Sequence, residues 1–255
     1  MNEISARLAC FELWGGNRSA DHAVELPGLA GWVYSAPLDP TSRGGDVHYF
    51  SVCSKGMVSR IAVADVAGHG RRASSMAVNL RQALKRYTDN WDQSALMREL
   101  NEAFLRGPVQ NPYATAAVLS FYFQTGELLF SSAGHPPSLW YRAREKSWHL
   151  LQDCTPFAVD IEGLPLGLIP GTAYSQTGVR LGADDTLVLY TDGVIEARDS
   201  SGHELGYRGF LELARGLAVE APVDVSRALM SLVQDFRAGG RRHDDETLVV
   251  LRRVM

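Results

Sequence analysis

Four aspartates stand at the ends of expected strands, next to glycines or turns. They are Asp46 in Gly44-Gly45-Asp46, Asp65 after Ile61-Ala62-Val63-Ala64, Asp192 between Tyr190-Thr191 and Gly193, and Asp244 in His243-Asp244-Asp245-Glu246-Thr247. A carboxylate at the mouth of a buried strand must be neutralised, paired or bound to metal, because an isolated buried charge is too costly. If the strands are neighbours, the carboxylates converge, and like charges that close repel unless a divalent cation sits between them. Oxygen-only ligation selects hard cations, Mg2+ or Mn2+, over zinc. Two such ions about 3.5–4 Å apart can bridge a water, lower its pKa and hold a phosphoryl group for in-line attack without a protein nucleophile. Any one aspartate beside a glycine could equally be a turn residue. The recurrence at equivalent places is what points to a shared centre.

The elements that must position these groups read as strands, two helices, strands, two helices and a last strand. An apolar run at 9–14 stops at Gly15-Gly16, residues 17–28 are polar and turn-prone, and 32–34 forms a second run ended by Pro37 and Pro40. Strands are expected at 47–52 and 58–66 around Lys55-Gly56. From Ala73, apolar residues recur at Met76, Ala77, Leu80, Leu84 and Tyr87, which is helical spacing. Asp92 or Ser94 can cap a second helix that Gly107-Pro108 ends. Strands return at 115–123 and 128–132 around Thr125-Gly126, then at 139–142 and 148–151. Residues 152–175, with Pro156, Pro165 and Pro170, read as a long loop or flap. A buried strand at 186–191, helices at 207–218 and 222–237, and a strand at 247–251 complete the chain. This order predicts an α+β class, with helix pairs covering a largely antiparallel sheet system in a single domain over 1–255.

Composition narrows the function. The 255 residues carry 25 Lys+Arg against 29 Asp+Glu, a formal charge of −4, and without a basic block nucleic acid is not the expected partner. Cys10, Cys53 and Cys154 are too few and too scattered for a disulfide framework or a zinc cluster, which fits a reducing compartment. Cys53 and Arg60 are seven apart, not the six a cysteine-dependent phosphatase needs. Gly68 and Gly70 flank His69 without the lysine of a P-loop, so ATP hydrolysis is not expected. The longest uncharged run is interrupted by Pro108, Asn111 and Pro112, too short of a span for a membrane helix, and Glu3, Arg7 and Glu12 do not suit a signal peptide. The expectation is a soluble cytoplasmic protein with no membrane partner.

The motifs Gly44-Gly45-Asp46, Asp65-Val66-Ala67-Gly68-His69-Gly70, Ala133-Gly134-His135-Pro136-Pro137, Thr191-Asp192-Gly193 with Glu196, and Asp244-Asp245-Glu246-Thr247 follow one another in this order. Together they resemble the metal-dependent Ser/Thr protein phosphatase family, in its bacterial sporulation-phosphatase (SpoIIE-type) branch. The resemblance implies a four-layer α-β-β-α sandwich of two antiparallel sheets flanked by helix pairs, with a binuclear Mn2+ or Mg2+ centre. It implies catalytic roles for Asp65 and Asp192. Asp65 would bridge both metals, the backbone carbonyl of Val66 would add a ligand, Asp192 and Asp244 would complete one metal, and Asp46 would hold the other. Glu196 falls where the wider family often has an acidic residue near an additional, third metal; a structural role is the alternative. Tyr49 takes the place where this branch often carries a second aspartate, which puts an outer-shell ligand in doubt.

Two further residues have two readings each. Arg43 could pair a phosphate oxygen or be a solvated loop arginine. His69 could protonate the leaving serine oxygen or simply pack at a strand-to-helix turn. His135 reads as a loop-fixing histidine. The resemblance implies hydrolysis of phosphoserine or phosphothreonine on a phosphorylated regulatory protein, an anti-sigma-factor antagonist in this branch. About 40 residues precede Gly44, so regulation is expected from a separate protein, a homodimer or metal availability. The alternatives are a catalytically silent phosphatase-like binding module, whose signature would be loss of a principal carboxylate, and a two-metal nuclease, which lacks a basic surface.

Overall fold

Backbone polarity and apolar patterning leave each strand here only one way to be buried: between a second sheet and a helix pair. The computed structural model describes residues 11–40, 43–53, 57–68, 70–87, 92–106, 113–154 and 163–254. Five elements come first: β1 (Phe11–Gly16), β2 (Ala20–Leu26), β3 (Leu29–Ala36), β4 (Val47–Cys53) and β5 (Val58–Val66). Helices α1 (Gly70–Tyr87) and α2 (Gln93–Leu105) follow, then β6 (Ala114–Tyr122), β7 (Glu127–Ala133), β8 (Leu139–Arg142), β9 (Ser147–Leu150), β10 (Thr177–Arg180) and β11 (Thr186–Tyr190). The chain continues through α3 (Asp192–Ile195), α4 (Gly206–Arg215), α5 (Pro222–Arg237) and β12 (Glu246–Arg253).

The strands form two six-stranded sheets, ordered β1-β4-β5-β6-β7-β10 and β2-β3-β12-β11-β8-β9, and the strand pairs are antiparallel. Val33, Phe50, Ile61, Leu119, Leu187 and Val249 pack between the sheets. On the outer face of the first sheet, Tyr49, Ala62 and Ala64 meet Leu80 and Leu84 of α1 and Leu96 and Leu100 of α2. On the outer face of the second, Val188, Tyr190 and Val250 meet Phe210 of α4 and Leu229 and Val233 of α5. Strands covered on both faces have no solvent side to alternate toward, which is why β11 is buried at every position. The α-β-β-α sandwich expected from the motif resemblance is the architecture observed.

Two strands and a helical turn depart from the sequence reading. Residues 17–28 are not merely turn-prone: β2 lies there, with Ala20, Val24 and Leu26 buried and Asp21 and Glu25 exposed. It is an edge strand whose polar residues form its solvent face, and Pro27-Gly28, with Gly28 at φ 75°, turns it back onto β3. β10 adds a short edge to the first sheet beside β7. The single turn α3 starts directly at Asp192.

The segment read as a flap is loop-like but tied down where it is described. Leu166 is fully buried and exchanges backbone hydrogen bonds of 3.0 and 2.8 Å with Ala114. Asn101 of α2 accepts from the Gly167 amide and donates to the Ile169 carbonyl. Asp92 caps α2, accepting from the amides of Ser94 and Ala95, as one of the two expected caps. Residues 155–162 of the flap, His69, Cys10, Lys55-Gly56 and Gly107-Pro108 lie outside the described residues.

Candidate functional site

Antiparallel pairing sets the start of one strand beside the end of the next. In the first sheet Val47 faces Ala64, so Asp46, entering β4, lies beside the end of β5 that carries Asp65. In the second sheet Tyr190 faces Leu248, so Thr191-Asp192, leaving β11, lies beside Asp244-Asp245, entering β12. The two sheets meet at this rim. Thr191 Oγ1 donates to Asp46 Oδ2 at 2.8 Å and accepts from the Thr247 amide at 3.0 Å, so a hydroxyl of one sheet orients a carboxylate of the other.

Glycines permit the approach. A Cβ on Gly45 would stand 2.9 Å from the Val66 carbonyl oxygen and 3.4 Å from Asp65 Oδ1, which places both oxygens on one side of the Gly44-Gly45 loop. A Cβ on Gly193 would overlap the Asp245 carbonyl oxygen. Asp245 holds the arrangement from below: it is buried, and its carboxylate accepts from the Leu38 and Gly45 amides at 2.6 Å each. The sequence reading did not assign Asp245 or Thr191 a role. Two adjacent aspartates were the available signal that one of them serves the backbone.

The acids perturb one another. Burial, and then the Asp65 carboxylate, push the Asp46 carboxyl well above the usual carboxylate range. Burial pushes Asp65 up to about 8, with Asp192 and Asp244 adding to it, and Asp46 lies within hydrogen-bonding reach. Asp192 is pushed up to about 6 by burial, then by Glu196 and Asp244. Glu196 is raised by burial, then by Glu204 and Asp244, against a lowering from Arg198. Asp46 Oδ1 is buried and has no hydrogen-bond partner. Arg237 pairs with Glu246 in the core, and Arg242 stands 3.8 Å from the same carboxylate. Among the described residues no three His, Cys, Asp or Glu side chains are drawn into a closed ligand set.

The fold thus brings Asp46, Asp65, Asp192 and Asp244 together at one rim, with the Val66 carbonyl beside Asp65 and Glu196 at the margin. Beside them a cleft of about 220 Å³, open mouth included, is lined by Gly193, Glu196, Ala197, Arg237, Arg241, His243 and Asp244. Arg43 stays exposed on the loop ahead of Gly44. Tyr49 is fully buried in the helix-facing core against α1. His135 is buried beside Thr115.

The family profile described as Stage II sporulation protein E (SpoIIE) matches residues 56–254. The chain belongs to the SpoIIE family. It is similar to the phosphoserine phosphatase RsbU of Bacillus subtilis, 27% identical over 219 residues, which cover 82% of this chain and 59% of RsbU. It therefore spans about three-fifths of that relative's length. Among solved structures, the RsbU and RsbW domains of a Mycobacterium tuberculosis protein match with a TM-score of 0.75 at 27% identity, over 93% of this chain and 63% of that one. RsbX, solved in complex with magnesium, matches with a TM-score of 0.64 at 16% identity, over 91% of this chain and 98% of RsbX. That likeness is one of fold. The SpoIIE-family sandwich is the PP2C phosphatase fold. Among the described residues no helix is long and apolar enough to cross a membrane.

Proposed function

We propose that this chain is a metal-dependent phosphoserine/phosphothreonine protein phosphatase, with one catalytic domain over 1–255. The observation that carries the reading is the set of carboxylates at the rim, with Asp46 buried and Asp65, Asp192 and Asp244 half-buried, in which Asp65 raises Asp46 and Asp244 raises both Asp65 and Asp192, with Asp46 Oδ1 lacking a donor. All-oxygen donors of this kind fit Mn2+ or Mg2+, and RsbX binds magnesium on the same fold. Asp65, adjacent to both Asp46 and Asp192, would be shared between two ions; Asp46 and the Val66 carbonyl would serve one, Asp192 and Asp244 the other, and Glu196 a third. When bound, such ions supply Lewis acidity to a phosphoryl oxygen and acidify a water.

The chain's own groups supply order. Thr191 keeps Asp46 aimed at Asp65, Asp245 holds the Gly45 amide, and Gly45 and Gly193 keep the approach free of side chains. Helix α1 begins four residues after Val66, so its N-terminal amides favour an anion on that side of the rim. Water and a phosphoserine ester then yield serine and inorganic phosphate. The likeness to the phosphoserine phosphatase RsbU supports a phosphoserine substrate, and the motif resemblance extends this to a phosphorylated regulatory protein, an anti-sigma-factor antagonist, in the cytoplasm. The test is phosphate release from a phosphoserine protein with added Mn2+. Release that EDTA abolishes, and that Asp65→Asn and Asp192→Asn each lose, is expected; turnover unaffected by EDTA refutes the reading.

A further inference from the structure

The motif Gly134-His135-Pro136-Pro137 is not used by the chemistry above, yet it crosses from one sheet to the other at the level of the acids. We propose that His135 is a positioning residue that sets the affinity of the rim for divalent cation, by tying the strand pair that carries Asp65 to the strand end that carries Asp192. This rests on the metal reading of the rim.

His135 is 5% exposed, and its Nδ1 lies 3.0 Å from Thr115 Oγ1. Thr115 is the register partner of Asp65 across β5 and β6. On the other edge of the ring Nε2 is buried without a hydrogen-bond partner, on the side where the backbone of Tyr190, the residue before Thr191-Asp192, opposes the effect of burial on the imidazole. The Tyr190 hydroxyl, in turn, donates to the Pro137 carbonyl at 2.6 Å. Burial pushes the imidazole down to about 3, so the ring stays neutral and serves as a strut rather than a proton donor.

The backbone of the strut is equally held. The His135 amide donates to Ser132 Oγ at 3.2 Å, Gly134 bridges Ala116 in parallel, and Gly134 sits at φ 65° where a Cβ would stand 2.8 Å from Pro165. The four principal acids come from two sheets, two from each. Their spacing is therefore a property of whatever holds the sheets in register at this rim, and the loop that His135 fixes to Thr115 in the first sheet is held by Tyr190 of the second at Pro137. Groups that orient ligands without touching the ion commonly change metal affinity about 10–100-fold when removed.

The experiment is calorimetric titration of the full chain with Mn2+ alone, paired with thermal melts in EDTA. His135→Ala is expected to weaken Mn2+ binding about 10–100-fold, and His135→Asn, which keeps an acceptor near the Nδ1 position, to recover part of the loss. Thr115→Val removes only the hydroxyl partner and is expected to weaken binding about 3-fold or more with little change in melting temperature; it decides the matter if His135→Ala does not fold. Gln93→Ala, further along the sandwich, lowers the melting temperature but keeps the affinity. Equal Mn2+ affinity in the unaltered chain, His135→Ala and Thr115→Val overturns the inference while leaving the metal reading intact. No Mn2+ binding by the unaltered chain overturns both.

Discussion

Two buried polar clusters in this molecule obey opposite rules. Under α2, Gln93 is fully buried and complete: its amide nitrogen donates to the Val118 carbonyl and Ser131 Oγ, and its oxygen accepts from Ser120 Oγ at 2.6 Å. At the rim, Asp46 is equally buried and incomplete, with one oxygen held by Thr191 and the other unpartnered among acids that repel it. A buried neutral amide can be satisfied by the fold alone. A cluster of carboxylates is not satisfied that way: its members hold protons more tightly or take a counter-charge from outside. The contrast separates polar groups that build the molecule from those that work.

The contrast can be broken at several points. The largest effect is expected from Asp65→Asn, which should lower metal-dependent phosphatase turnover by about 10³-fold while the chain stays folded, as checked by single-turnover phosphate release and circular dichroism. Gly193→Ala would drive a methyl into the Asp245 carbonyl; a loss of about 3 kcal/mol in urea unfolding, with activity lost too, is expected. Gln93→Ala strands Ser120, Ser131 and the Val118 carbonyl, and should cost about 2 kcal/mol without altering Mn2+ affinity.

The smallest effect is a pH slope of opposite sign to the usual carboxylate one. Asp65 is raised to about 8 in the folded state, so its proton is held more tightly there than in the unfolded chain. The stability this contributes is complete below about pH 4 and is lost as pH rises through 8. His48 and His135, lowered to about 4 and about 3 by burial, work the other way, but only below about pH 6.5, where the unfolded imidazoles gain protons. Between pH 6.5 and 8, therefore, the EDTA-treated protein should lose about 3 °C in melting temperature, and Asp65→Asn should flatten the slope. Saturating Mn2+ should erase it as well.

Legibility from sequence was uneven, for physical reasons. The candidate rim was signalled because Asp46, Asp65 and Asp192 sit where an apolar run comes close to glycine, and the motif order over 44–247 added Asp244 to them. The helices α1, α2 and α5 were readable because each buries one apolar stripe. β2 was not, since Asp21 and Glu25 are the solvent side of an edge and, with the half-buried His22, their polarity masked the inward Ala20, Val24 and Leu26. β10 offers one large apolar residue, Val179, and α3 is a single turn of four residues, too short for a helical period to register. Asp245 was invisible as a backbone latch because adjacency to Asp244 does not say which carboxylate faces the rim. Tyr49 looked like a substituted ligand position, and burial against α1 shows it as core.

The position of β12 between β3 and β11 has a consequence for how the molecule is made. The β2–β3 hairpin leaves the ribosome ahead of every element from β4 to α5, but the neighbour that β3 requires is β12, so one flank of that hairpin stays bare until β12 emerges. Asp244, at the entrance to the same strand, arrives with it. Closure of the second sheet and completion of the acid rim are therefore one long-range event.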